Sequence, residues 1–169
     1  MLGAGTLIIA GLGFGAFWGL GLLAFDATWS AGLLLHGVWM GSLAIGVIRL
    51  LQPLRGTAAT AGWAGVAATV IGMLTAFPLF GVGLIVIETI QWLQRARRPA
   101  AAALATGAIL LLGSLPLEGR FDGSGTPELG TSAALLFAPA VVLISLGLTL
   151  LGLGQLLSER RNVTVAPAR

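Results

Sequence analysis

Residues 75–83 read TAFPLFGVG and lie inside residues 57–94, a stretch in which Glu88 is the one charged residue. How that stretch is divided decides the fold. A single helix through it would put Arg95, Arg97 and Arg98 across a bilayer from Arg49 and Arg55, whereas two helices folded back on each other keep all five together. Pro78 removes a helix hydrogen bond and disfavours helical geometry at Phe77, while Gly81 and Gly83 permit a tight reversal. A hairpin is therefore predicted, with arms of roughly 16 to 20 residues, short for full spans. The alternative is a re-entrant hairpin at 57–94 that never crosses, leaving four full spans and the arginines still on one side.

Composition makes the bilayer the relevant solvent. The 169 residues are 57% hydrophobic and 9% charged, with a mean hydropathy of +0.99. A soluble domain carries about 25% charged residues, so this chain has too little polar surface to coat a globule. Its apolar runs of about 20 residues match the length needed to cross about 30 Å of hydrocarbon. The absence of cysteine excludes disulfides, thiolate metal sites, iron-sulfur clusters and thiol nucleophiles. The net charge of +3 and pI near 11.5 accompany no basic cluster on a stacking or helix-turn-helix scaffold, so nucleic acid is not an expected partner. Residues 1–25 lack a basic leader and are apolar for longer than a signal peptide needs, so cleavage is not expected.

All nine basic residues are arginine. Arg49 and Arg55 follow the second apolar run, Arg95, Arg97 and Arg98 the fourth, and Arg160, Arg161 and Arg169 the last; Arg120 stands apart. The acids sort the other way, with Asp26 after the first run and Glu118, Asp122 and Glu128 in one long polar loop. With the arginines placed in the cytoplasm, spans are predicted near 3–25 and 28–50, two within 57–94, and two near 100–116 and 131–156, with loop 117–130 outside. The expected fold is an all-α, polytopic integral membrane helix bundle of six transmembrane helices in three hairpins. It fills residues 1–158, is multi-pass in the cell membrane, and leaves both termini and a short tail, 159–169, cytoplasmic. The chain from Ser158 is expected to be mobile. Asn162-Val163-Thr164 matches a glycosylation acceptor that a cytoplasmic tail would leave unmodified.

Few residues could carry chemistry. A charged group inside a span costs about 2.5 to 3.5 kcal/mol at the helix centre, which singles out Glu88, about 10 Å along its helix from Arg95. Arg49 lies a similar distance above Arg55, so either an interhelical Glu88–Arg49 ion pair, with Gln91 as a second donor, or hydration near the cytoplasmic face is expected to keep the carboxylate tolerable. The alternative role for Glu88 is contact with an ion, proton or substrate. His36, mid-span in LLLHGVWMG, is expected to bond to a neighbouring helix, or else to contact a proton or substrate. One histidine supplies one ligand, and Met40 on the same face cannot reach the same iron, so haem and other cofactors are not expected.

Gly11, Gly15 and Gly19 form one small-residue ridge, and Gly37 and Gly41 a second. Such ridges let helices approach closely where apolar lipid supplies no hydrophobic drive. Gly11, Gly13 and Ala16 also fit a loose phosphate-loop pattern, which no strand precedes. Trp29, Trp63 and Trp92 mark interfacial depth, while Trp18 and Trp39 are deep enough to pack in the bundle. Asp122, Ser124, Thr126 and Glu128 alternate like a calcium loop but read as an ordinary Gly/Pro-rich connection. With no nucleophile–base pair, paired carboxylates or metal cluster, an enzyme is not expected.

Two functions follow. The first is a non-catalytic membrane subunit or accessory protein that packs by its glycine faces against other membrane subunits or a second copy, with the lipid bilayer around it. The second is a small transporter or channel component using Glu88, Arg49 and His36.

Overall fold

The computed structural model describes residues 2–23, 29–75, 77–93, 98–114 and 131–165. They form six helices, α1 (Leu2–Leu23), α2 (Trp29–Leu51), α3 (Gly56–Thr75), α4 (Phe77–Leu93), α5 (Arg98–Ser114) and α6 (Thr131–Val165), with no strand among the described residues. Segment Leu34–Leu51 of α2 and segment Leu135–Glu159 of α6 are long and apolar enough to cross a membrane. Shorter apolar segments occupy α1, α4 and α5, at Gly3–Gly19, Leu79–Ile90 and Arg98–Ser114.

The helices pack in a ring, in the order α2, α1, α6, α5, α4, α3, with α3 returning only loosely to α2. Each neighbouring pair whose register can be followed is antiparallel. A Cβ placed on Gly46 would meet Leu7 while one on Gly13 would meet Trp39, so α1 and α2 run in opposite directions. The same test pairs Gly65 with Ile87 and Gly72 with Phe80 for α3–α4, and Gly107 with Ile144 and Gly147 with Leu104 for α5–α6. Alternation around the ring brings Arg49, Arg55 and Arg98 to one end of the bundle, where Arg49 lies over Gly3 beside Gln155. Arg95, Arg97, Arg120 and Arg169 lie outside the described residues.

The interior is an apolar column through all six helices, including Phe14, Leu43, Val66, Phe80, Leu104 and Ile144. Fully buried Leu, Ile and Phe side chains interdigitate there, and close packing of this kind orders helices in lipid as well as in water. Helices α6 and α1 are also joined by a polar stitch, in which Ser145 Oγ donates to Gly11 O at 2.7 Å. Pro139, inside α6, is exposed, as is Leu135, whose carbonyl it deprives of a donor.

The hairpin predicted at 57–94 is present and its break falls within 75–83, but the glycines there do not make it. Helix α3 ends at Thr75 and α4 begins at Phe77, with Pro78 in the first turn of α4, where a missing N–H costs nothing. Gly81 and Gly83 are helical and make no turn. Gly83 lets α4 approach Thr69 and Gly65 of α3, and Gly81 receives Leu112 of α5. The glycine that needs a special backbone is Gly56, at φ 62°, which starts α3 after the turn at 52–55. The chain from Ser158 also departs from expectation. Helix α6 continues through SERRNVTV to Val165, because no proline or glycine interrupts it and Ser158 Oγ bonds back to Gln155 O at 2.8 Å.

Candidate functional site

Glu88 lies in the second half of α4, five residues before its end. It is buried, 2% exposed, and its Oε2 has no hydrogen-bond donor. Gly81 on the same face meets Leu112, and α4 and α5 are sequential and antiparallel. Two turns on, Glu88 therefore comes level with Ala105, in the alanine-rich first half of α5. The alanine side chains there carry no hydrogen-bond donor.

The expected Glu88–Arg49 pair does not form. Arg49 is exposed, its Nη1 donates to Gln52 Oε1 at 3.4 Å, and its Cβ and Cγ pack over Gly3 of α1. Depth is not the obstacle. The rings of Trp39 and Phe80 are 6.4 Å apart, so those residues are level. From that level Arg49 and Glu88 lie about 15 and 12 Å toward the same end. The obstacle is lateral, because α2 leans on α1 while α4 leans on α3 and α5. The Gln91 side chain lies outside the described residues.

His36 points into an aromatic cluster. Its ring centroid is 4.8 Å from Phe17 and 5.1 Å from Trp39, and Trp39 stands edge-on to Phe14 at 5.0 Å. The expected interhelical hydrogen bond is missing at Nδ1, which is buried with no partner, as is Nε1 of Trp39. His36 is separated from Glu88 by about 16 Å along the bundle, on the same level marks. Glu88, Arg49 and His36 thus occupy three different surroundings. No three acidic or histidine side chains come together among the described residues.

The glycine faces divide sharply. Gly11 and Gly15 are internal: a Cβ on Gly11 would fall 2.6 Å from Ser145 O, and one on Gly15 2.6 Å from Ser145 Oγ. Gly19, Gly37 and Gly41 meet nothing within 4 Å. Gly37 and Gly41 line an outward strip of α2 with Leu34, Val38 and Ile45, which are 75%, 54% and 49% exposed. Beside the strip, the loose α2–α3 seam opens a shallow cleft lined by Leu43, Ala44, Val47, Val66, Thr69 and Val70. The Thr69 hydroxyl is already committed to Gly65 O at 2.7 Å, leaving the cleft without a free donor.

Sequence reasoning missed the α3–α4 contact at Gly65, Gly72 and Gly83, although Gly65 and Gly72, seven apart, signal one helix face. It also missed Ser145 and Thr149, four apart on α6, as the groove that receives Gly11. Trp18 and Trp39 pack in the bundle as expected, and Trp63 is half-exposed near the start of α3. Side chains of Trp29 and Trp92, and all of loop 117–130 with Glu118, Asp122 and Glu128, lie outside the described residues. No protein family, curated protein or solved structure matches this chain.

Proposed function

We propose that this chain is a non-catalytic, multi-pass membrane subunit that docks a transmembrane helix of a partner against the outward strip of α2. The observation that carries this reading is the contrast between two ridges of identical spacing: Gly11 and Gly15 are filled by α6, whereas Gly37 and Gly41 face open space. Small residues flanked by Leu34, Val38 and Ile45 offer the close approach on which helix association in lipid depends. The adjoining α2–α3 cleft widens that groove. In this reading all six helices cross the membrane, with the arginine end cytoplasmic. Helices α4 and α5 have 17 residues each, about 25 Å of rise, and local thinning of the bilayer accommodates them.

Purification in mild detergent followed by mass spectrometry tests the packing role. A stoichiometric membrane partner is expected with the native chain, and Gly41→Leu is expected to release it while leaving thermal unfolding unchanged. A native chain that purifies alone, or a Gly41→Leu variant that keeps its partner, defeats the reading.

Topology has its own measurement, and the lack of cysteine gives it no background. Thr57→Cys and Pro99→Cys, both exposed positions at the arginine end, are expected to resist an impermeant maleimide applied to intact cells. Gly125→Cys, in the connection between α5 and α6, is expected to react. Reaction at Pro99→Cys but not at Thr57→Cys would mean that 57–94 crosses once.

A further inference from the structure

We infer that Glu88 is a proton-binding carboxyl of the bundle, reached from its arginine-bearing end. The inference is independent of the packing role, since it concerns the α4–α5 side of the ring and not the outward strip of α2. The buried polar residues of the described core are Thr69, Glu88 and Ser114. Thr69 and Ser114 are closed onto their own helices, donating to Gly65 O and Leu111 O at 2.7 Å each. Glu88 is the exception, with a buried Oε2 that accepts nothing.

A carboxylate in apolar surroundings has to be neutralised by an arginine, a metal ion or a proton. Among the described residues, the elements packed against α4 supply no such arginine. Helix α3 contains no titratable or charged residue, and α5 contains only Arg98. Arg98 is exposed and seven residues before the level of Glu88, about 10 Å along the helix. Arg49 is turned to Gln52 on another sector of the ring. A metal ion needs several oxygen ligands, and the described residues gather no set of three acidic or histidine groups. A proton needs one oxygen, which Oε2 provides. Five residues of α4 separate Glu88 from the arginine end and eleven from the other, so exchange is shorter through the former.

The chemistry of the protonated form gives a direct test. A carboxylic acid adds across a carbodiimide: its oxygen bonds to the central carbon, its proton moves to nitrogen, and the adduct rearranges to a stable N-acylurea. The full chain in native membranes is treated with dicyclohexylcarbodiimide, and separately with a water-soluble carbodiimide, and the adducts are mapped by mass spectrometry. One adduct per chain is expected at Glu88 with the lipid-soluble reagent and none there with the soluble one. The rate should fall as the buffer is made alkaline, because the carboxylate is the unreactive form. Glu88→Gln should lose the adduct entirely, and Glu88→Asp should retain one at position 88 if the glutamine variant fails to assemble. Absence of an adduct at Glu88, or a rate indifferent to pH, overturns the inference. Protection by sodium at fixed pH overturns it in favour of a cation.

Discussion

Gly83→Leu is expected to destroy the α3–α4 hairpin. A Cβ on Gly83 would fall 2.5 Å from Thr69 N and 2.6 Å from Gly65 O, so the obstruction is backbone and cannot be relieved by a rotamer change. Overpacking a close helix contact costs about 3 kcal/mol, and here the leucine must also push aside the Thr69 hydroxyl that caps Gly65 O. Gly37→Leu is the matched control. It adds the same side chain to a helix position with nothing within 4 Å, and its effect should stay within about 0.5 kcal/mol. Thermal or denaturant unfolding of both variants in detergent decides the matter. Equal stability for the two would mean that α3 and α4 do not approach at Gly83.

Replacing Glu88 by methionine is expected to stabilise the protein, against the usual direction for a buried position. Glu88 is 2% exposed with an unpartnered oxygen, and an unsatisfied buried polar group costs about 1 to 3 kcal/mol. Methionine has nearly the same length and enough flexibility to fill the site beside the alanines of α5. A gain of about 1 to 3 kcal/mol in the same unfolding assay is expected. Destabilisation would reveal a donor to Glu88 and would leave the carboxyl a structural group. Retention of a destabilising residue is the ordinary signature of function, since activity sites often cost stability.

The Glu88–Arg49 pair shows where reading along the chain stops. Counting residues placed the two groups at similar depths, and the level of Trp39 with Phe80 agrees. Counting could not place α2 and α4 in different sectors of the ring. His36 repeats the lesson: its position within the helix and its neighbour Trp39, three residues on along α2, were legible, but its contact with Phe17 depends on how α1 packs against α2. The reversal near Pro78 was legible to within a few residues, yet Gly81 and Gly83 were misread as turn residues. Glycine serves sharp turns and close helix contacts alike, and the choice depends on what stands opposite.

From the sequence alone came the all-helical class, the breaks between helices and the placing of Arg49, Arg55 and Arg98 at one end, because these depend on local backbone chemistry and on charge along the chain. The tertiary structure alone decided the ring order, the inward fate of Gly11 and Gly15 against the outward fate of Gly37 and Gly41, and the isolation of Glu88. The physical reason is that helices this apolar on every side carry no mark of which face meets which neighbour. Only the fit of ridges, hydroxyls and bare backbone between them makes that selection.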